Sequence, residues 1–74
     1  MKTRKEVILE MITALEDDKV KQEILVDYRK NCFENDEELK GNIEAKKQLD
    51  ATEFSLKYTL KMLEWLNKQL ILCE

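Results

Sequence analysis

The residues of this chain able to do chemistry are few, and they stand apart from one another. Cys32 and Cys73 are the only thiols, and the chain contains no His. A cysteine becomes a nucleophile or a metal ligand when a base, a second thiol or a cation assists it. No C-x-x-C pair and no Cys/His cluster supplies that help here. Two reduced thiols in a cytoplasmic protein are therefore expected. The acids gather at Glu34, Asp36, Glu37 and Glu38. A calcium loop needs D-x-D-x-D-G with a bidentate Glu at its twelfth position, and a di-iron bundle needs E-x-x-H pairs. Neither pattern is present. Arg4 and Arg29 are the only guanidinium groups, and no glycine-rich loop could cradle a phosphate. With no usual general base, the expectation is a protein that is not an enzyme and uses no cofactor and no metal.

The distribution of charge narrows the partners. Across 74 residues the net charge is −3. Residues 1–5 carry three bases and no acid, residues 6–38 carry four bases against eleven acids, and residues 39–74 carry six Lys against five acids. A protein dedicated to duplex DNA shows a basic face, so nucleic acid is not the expected partner. The basic start Met1–Lys5 runs into Glu6 and Glu10 and does not read as a signal peptide. No apolar run approaches the ~20 residues of a membrane span.

What positions these residues must be helices. The chain has no Pro and one Gly, and an assembly of short strands would need many more turn residues than that. Thr3 with Glu6 forms a T-x-x-E capping box, followed by a stripe of Val7, Ile8, Met11, Ile12 and Leu15 at helical spacing. The stripe then falters, and Asp17 and Asp18 are good N-cap residues before a fresh stripe of Val20, Ile24, Leu25, Tyr28 and Cys32. Either one long helix has a polar middle, or the chain breaks near residues 16–18; the caps favour the break. A second box, Asn35 with Glu38, places the main turn at residues 33–36, with Gly41-Asn42 as the competing site. The expected elements are thus helices over 3–16, 18–33 and 36–73, within one all-α domain that is either a helical hairpin or a three-helix arrangement.

The last of these helices is the most informative. Leu49, Leu56, Leu63 and Leu70 recur every seven residues, a coiled-coil period, which puts Thr52, Thr59, Leu66 and Cys73 at the companion core positions. Glu53–Lys57 and Glu64–Lys68 are i,i+4 pairs in the favoured order. A second stripe, Phe54, Tyr58, Met62, Trp65 and Leu72, crosses the same helix, so residues 54–72 are apolar over most of their circumference. A helix apolar nearly all round is buried on more than one side. With the turn near residue 34, the preceding segment would end level with Trp65 and leave Leu66, Leu70, Ile71 and Leu72 overhanging. An apolar patch of that kind marks an interface.

The expected function follows from these faces. It is a small non-enzymatic protein–protein interaction or regulatory module of bacterial or phage type, a homo-oligomer (a dimer in the first instance) working through Phe54, Tyr58, Met62, Trp65, Leu66, Leu70, Ile71 and Leu72. An alternative is an acidic inhibitor that presents Asp17, Asp18, Asp27, Glu34, Asp36, Glu37 and Glu38 to a basic site on a nucleic-acid-handling enzyme. A further alternative, a small DNA-binding regulator, would have to rely on Lys2, Arg4 and Lys5 with Lys19 and Lys21, or on Lys57, Lys61 and Lys68. The four-leucine repeat alone does not support it, because Glu37, Glu38 and Glu44 interrupt the bases ahead of Leu49.

Overall fold

The structure is a computed structural model that describes residues 1–73. Two helices, α1 (Arg4–Asn35) and α2 (Ile43–Leu72), form an antiparallel hairpin, and the described residues include no strand. The hairpin is a rod of 52 × 15 × 15 Å. None of its helices is long and apolar enough to cross a membrane.

The start of α1 follows the sequence signal. Thr3 is the N-cap, and its hydroxyl oxygen accepts from the Glu6 amide at 3.2 Å. The Thr3 hydroxyl in turn donates to the Glu6 carboxylate at 3.2 Å, and so closes the local pair through the side chains. The expected break at 16–18 does not occur. Asp17 and Asp18 lie within an unbroken helix with exposed side chains. No Pro or Gly forces a stop there, and good N-cap residues do not end a helix whose backbone can continue. The three-helix alternative therefore gives way to the hairpin.

Continuity of α1 has a consequence for its second half. The phase set by Ile8, Ile12 and Leu15 carries on through Lys19, Gln22, Val26, Arg29 and Phe33, and these residues, with Cys32 beside the last of them, are removed wholly or partly from solvent. Of the stripe expected to be a second core, Val20, Ile24, Leu25 and Tyr28 are exposed, and Cys32 alone is half-buried. A new phase would have required a new helix.

The turn lies later than residues 33–36. Asp36 caps the C-terminus of α1, its amide donating to the Cys32 carbonyl at 3.1 Å. Its carboxylate accepts from the amides of Glu38 (2.9 Å) and Leu39 (3.3 Å), an Asx-type turn. Gly41 follows with φ +71°, a left-handed conformation that favours glycine. Asn42 then opens α2, its side-chain oxygen accepting from the amides of Glu44 and Ala45 at 2.8 and 3.2 Å. The competing site Gly41-Asn42 is the true boundary, so α2 begins at Ile43 and not at residue 36. Lys46 Nζ sits 5.6 Å from the centre of the Phe33 ring and ties the two helices at this end.

With a turn at 36–42 the helices are nearly equal in length, and the expected overhang disappears. Ile8 and Ile12 pack with Leu63 and Leu66, and Leu15, Met62 and Leu70 close around them. Leu49, Thr52 and Thr59 are buried further along α2. Inward residues of α2 recur at alternating steps of four and three from Ala45 to Leu70, matching the seven-residue repeat in the sequence. The interior is apolar at the open end and polar in the middle. There Arg29 Nη1 donates to the Gln48 carbonyl (3.2 Å) and to the Thr52 hydroxyl, which itself donates to the Gln48 carbonyl at 2.8 Å.

One group in that polar middle is unpaid for in hydrogen bonds. Gln22 Oε1 is buried and has no partner among the described residues. An unsatisfied buried acceptor costs about 1–3 kcal/mol. Gln22→Leu, which fills the same space without the polar atom, is expected to raise stability by roughly 1 kcal/mol or more in urea denaturation. A loss of stability in that variant would show that the amide is satisfied in solution.

Candidate functional site

Two sides of the hairpin flank the inward rows, and they differ sharply in chemistry. On one side lie residues 9-16-23-30 and 13-20-27-34 of α1 with 46-53-60-67 and 50-57-64-71 of α2. Ten of these sixteen are charged. Their ion pairs are short-range and exposed, such as Lys46–Asp50 at 3.2 Å. On the back of α2, Lys68 reaches Glu64 at 3.3 Å, as its i,i+4 spacing predicts, whereas the expected pair Glu53–Lys57 does not form among the described residues. Such contacts contribute a few tenths of a kcal/mol each.

The other side carries residues 7-14-21-28 and 11-18-25-32 of α1 with 51-58-65-72 and 48-55-62-69 of α2. Of these sixteen only Asp18 and Lys21 are charged, in a chain that is 39% charged. Only Arg4 and Glu44, in the first turns of the two helices, extend these rows with charge. The surface here is a continuous shallow groove. A hollow of about 430 Å³ near the turn is lined by Tyr28, Arg29, Cys32, Leu39 and Gln48. Arg29 also lines the next hollow with Gln22, Leu25 and Ser55. Gln22 and Ser55 then border Phe54 and Tyr58, and Tyr58 borders Met62 and Trp65. The groove thus runs from the turn to the open end.

Its aromatic groups face solvent: Tyr28 is 65% exposed, Tyr58 61% and Trp65 54%, with Phe54 at 70% on the margin. Tyr28 is also chemically marked. Its phenol ionises above the ordinary tyrosine range, first because of a hydrogen bond with Cys32 and second through the charge of that same group. Cys32 is half-buried and Cys73 exposed, both as free thiols.

The expected interface residues divide between these environments. Phe54, Tyr58, Met62, Trp65 and Leu72 line or border the apolar side. Leu66 does not: at 2% exposure it belongs to the hairpin's own core and is unavailable to a partner. Leu70 is half-buried against the same core. Ile71 is exposed but projects from the charged side, in the row of Lys57 and Glu64. Sequence reasoning missed the contribution of α1, namely Val7, Met11, Leu25 and Tyr28, because it placed all four in inward-facing apolar stripes.

The expected acidic patch is not one surface. Glu34, Asp36, Glu37 and Glu38 cluster at the turn, but Asp17 and Asp18 lie about 24 Å away along α1 at 1.5 Å per residue. Asp36 is occupied as a cap. No group of three or more His, Cys, Asp or Glu side chains among the described residues could hold a metal ion. Arg29, one of the two candidate anion binders, directs its Nη1 into the hairpin, to the Gln48 carbonyl and the Thr52 hydroxyl. In comparisons with protein-family models, curated proteins and solved structures, nothing matches this chain.

Proposed function

We propose that this protein is a small non-enzymatic interaction module that self-associates through the apolar side of its hairpin. The single observation that carries this reading is the asymmetry of the two sides: two charges in sixteen positions against ten in sixteen. In a solvated monomer nothing would keep charge off one side only. An exposed apolar surface of this extent is characteristic of an interface, and aromatic residues with few rotors are the usual anchors.

The thin interior points the same way. Within one hairpin the buried apolar side chains are Ile8, Ile12, Leu49, Leu63 and Leu66, beside Thr52 and Thr59. Small helical units need added burial, commonly from a second subunit. The antiparallel pairing of α1 and α2, with its four-and-three spacing, is read here as a short coiled coil, and its association as the formation of a four-helix bundle. The regulatory role expected of such a module is to present, or to be displaced from, that bundle surface by a protein partner.

Trp65 provides the test, since it is the only Trp in the chain. Its fluorescence emission is expected to shift to longer wavelength on dilution, as the indole passes from interface to water. The dilution midpoint should change little between low and high salt, because the contact is apolar. Emission that stays at the water-exposed position at every concentration would contradict self-association. A midpoint that moves steeply with salt would favour an electrostatic contact through the acidic turn.

A further inference from the structure

Resting on the reading of the apolar side as a self-contact, we infer that the occupant is a second copy of the chain laid antiparallel, turn end over open end, with Asp18 of each copy paired to Lys21 of the other. Two dyads can bring the same side of two hairpins face to face. A dyad along the helix direction sets α1 against α2 of the other copy, with the open ends together. A dyad across the helices, in the plane of contact, sets α1 against α1 and α2 against α2, each pair antiparallel.

The two charges on this side distinguish them. Neither Asp18 nor Lys21 has an ion-pair partner among the described residues. They stand four residues and one residue before Gln22, which shares a hollow with Ser55, Tyr58 and Thr59 of α2. Under the lengthwise dyad both would lie against the uncharged rows of α2 in the other copy, around Ser55 and Tyr58, desolvated with no opposite charge across the contact, an arrangement that opposes association. The crosswise dyad removes the conflict. The midpoint of α1 (Arg4–Asn35) falls between Lys19 and Val20, and Asp18 and Lys21 stand symmetrically about it. A crosswise dyad at that midpoint brings each onto its opposite charge while the helices overlap along their whole length.

The same register suits the apolar residues. It sets Ala14 level with Leu25 of the other copy, a small residue against a large one, and Met11 level with Tyr28. Val7 comes level with Cys32. A side of 52 by 15 Å offers on the order of 800 Å² per copy, the area each partner gives up in a stable interface of standard size. Full overlap uses all of it.

Native Cys32 makes the arrangement measurable. In a Cys73→Ser background, Val7→Cys places a new thiol at an exposed position that is about 37 Å from Cys32 of its own chain at 1.5 Å per residue. Mild oxidation is expected to give a covalent dimer joined between position 7 of one copy and Cys32 of the other, identified by peptide mapping. Asp18→Lys alone is expected to weaken self-association roughly three- to tenfold, and D18K/K21D together to restore it. A dimer by light scattering that yields no link between positions 7 and 32, with no rescue by the double reversal, would overturn this arrangement and leave the self-contact standing. A wild-type monomer at all concentrations would overturn both.

Discussion

Leu66→Ala is expected to cost the hairpin about 2–5 kcal/mol, the range for truncating a buried leucine. Leu66 is the least exposed apolar residue of the chain, at 2%, and packs with Ile8, Ile12 and Leu63 at the open end. The helices meet there with no loop to hold them, so a cavity is not easily closed by local adjustment. Natural domains have only about 5–15 kcal/mol of stability in total, and one this small sits at the lower end. The variant should therefore show a large fall in its urea midpoint, with loss of helical circular dichroism at mild denaturant. Leu60→Ala is the control, since Leu60 is 43% exposed on the charged side; its effect should stay within about 0.5 kcal/mol. Comparable losses in the two variants, measured at one protein concentration, would mean that the core is placed wrongly.

Trp65→Asp should have the opposite profile, sparing each hairpin and abolishing self-association. The indole is 54% exposed and borders Tyr58, Lys61 and Met62, so its removal leaves the inward rows intact. In the assembly it would bury most of its surface, and interface tryptophans commonly cost 2 kcal/mol or more on truncation. An aspartate adds the desolvation of a charge inside the contact, and a symmetric dimer meets the change twice. A loss of affinity of at least about 100-fold is expected, with the helical signal retained at high concentration. Unaltered mass together with unaltered helicity would remove Trp65 from the interface.

Much of the local structure was legible in the residues themselves. The Thr3 cap, the seven-residue repeat of Leu49, Leu56, Leu63 and Leu70, and the Glu64–Lys68 pair all stand as their spacing predicts. The turn was harder because two cap signals compete within eight residues. Asp36 uses its carboxylate to end α1 and not to begin α2, and the left-handed backbone at Gly41 then lets Asn42 start the second helix. The middle of α1 was misjudged for a different reason. Lys19, Gln22 and Arg29 look like surface residues, yet a hairpin can take long polar side chains inward, Arg29 by reaching Thr52 and Gln22 at the cost of an unpaired Oε1. Once they were read as exposed, Leu25 and Tyr28 had to be read as buried. The apolar side becomes visible in the sequence only when the phase of Ile8, Ile12 and Leu15 is carried unbroken through residue 33.

Self-association through that side is best tested by the molar mass of the wild-type chain in solution, by sedimentation equilibrium from low micromolar to hundreds of micromolar. The single chain has a mass of 8.9 kDa. The expected result is a mass that rises with concentration to a plateau at twice that value, with no further growth, as a closed two-fold contact requires. A mass equal to the single chain across the whole range would contradict it.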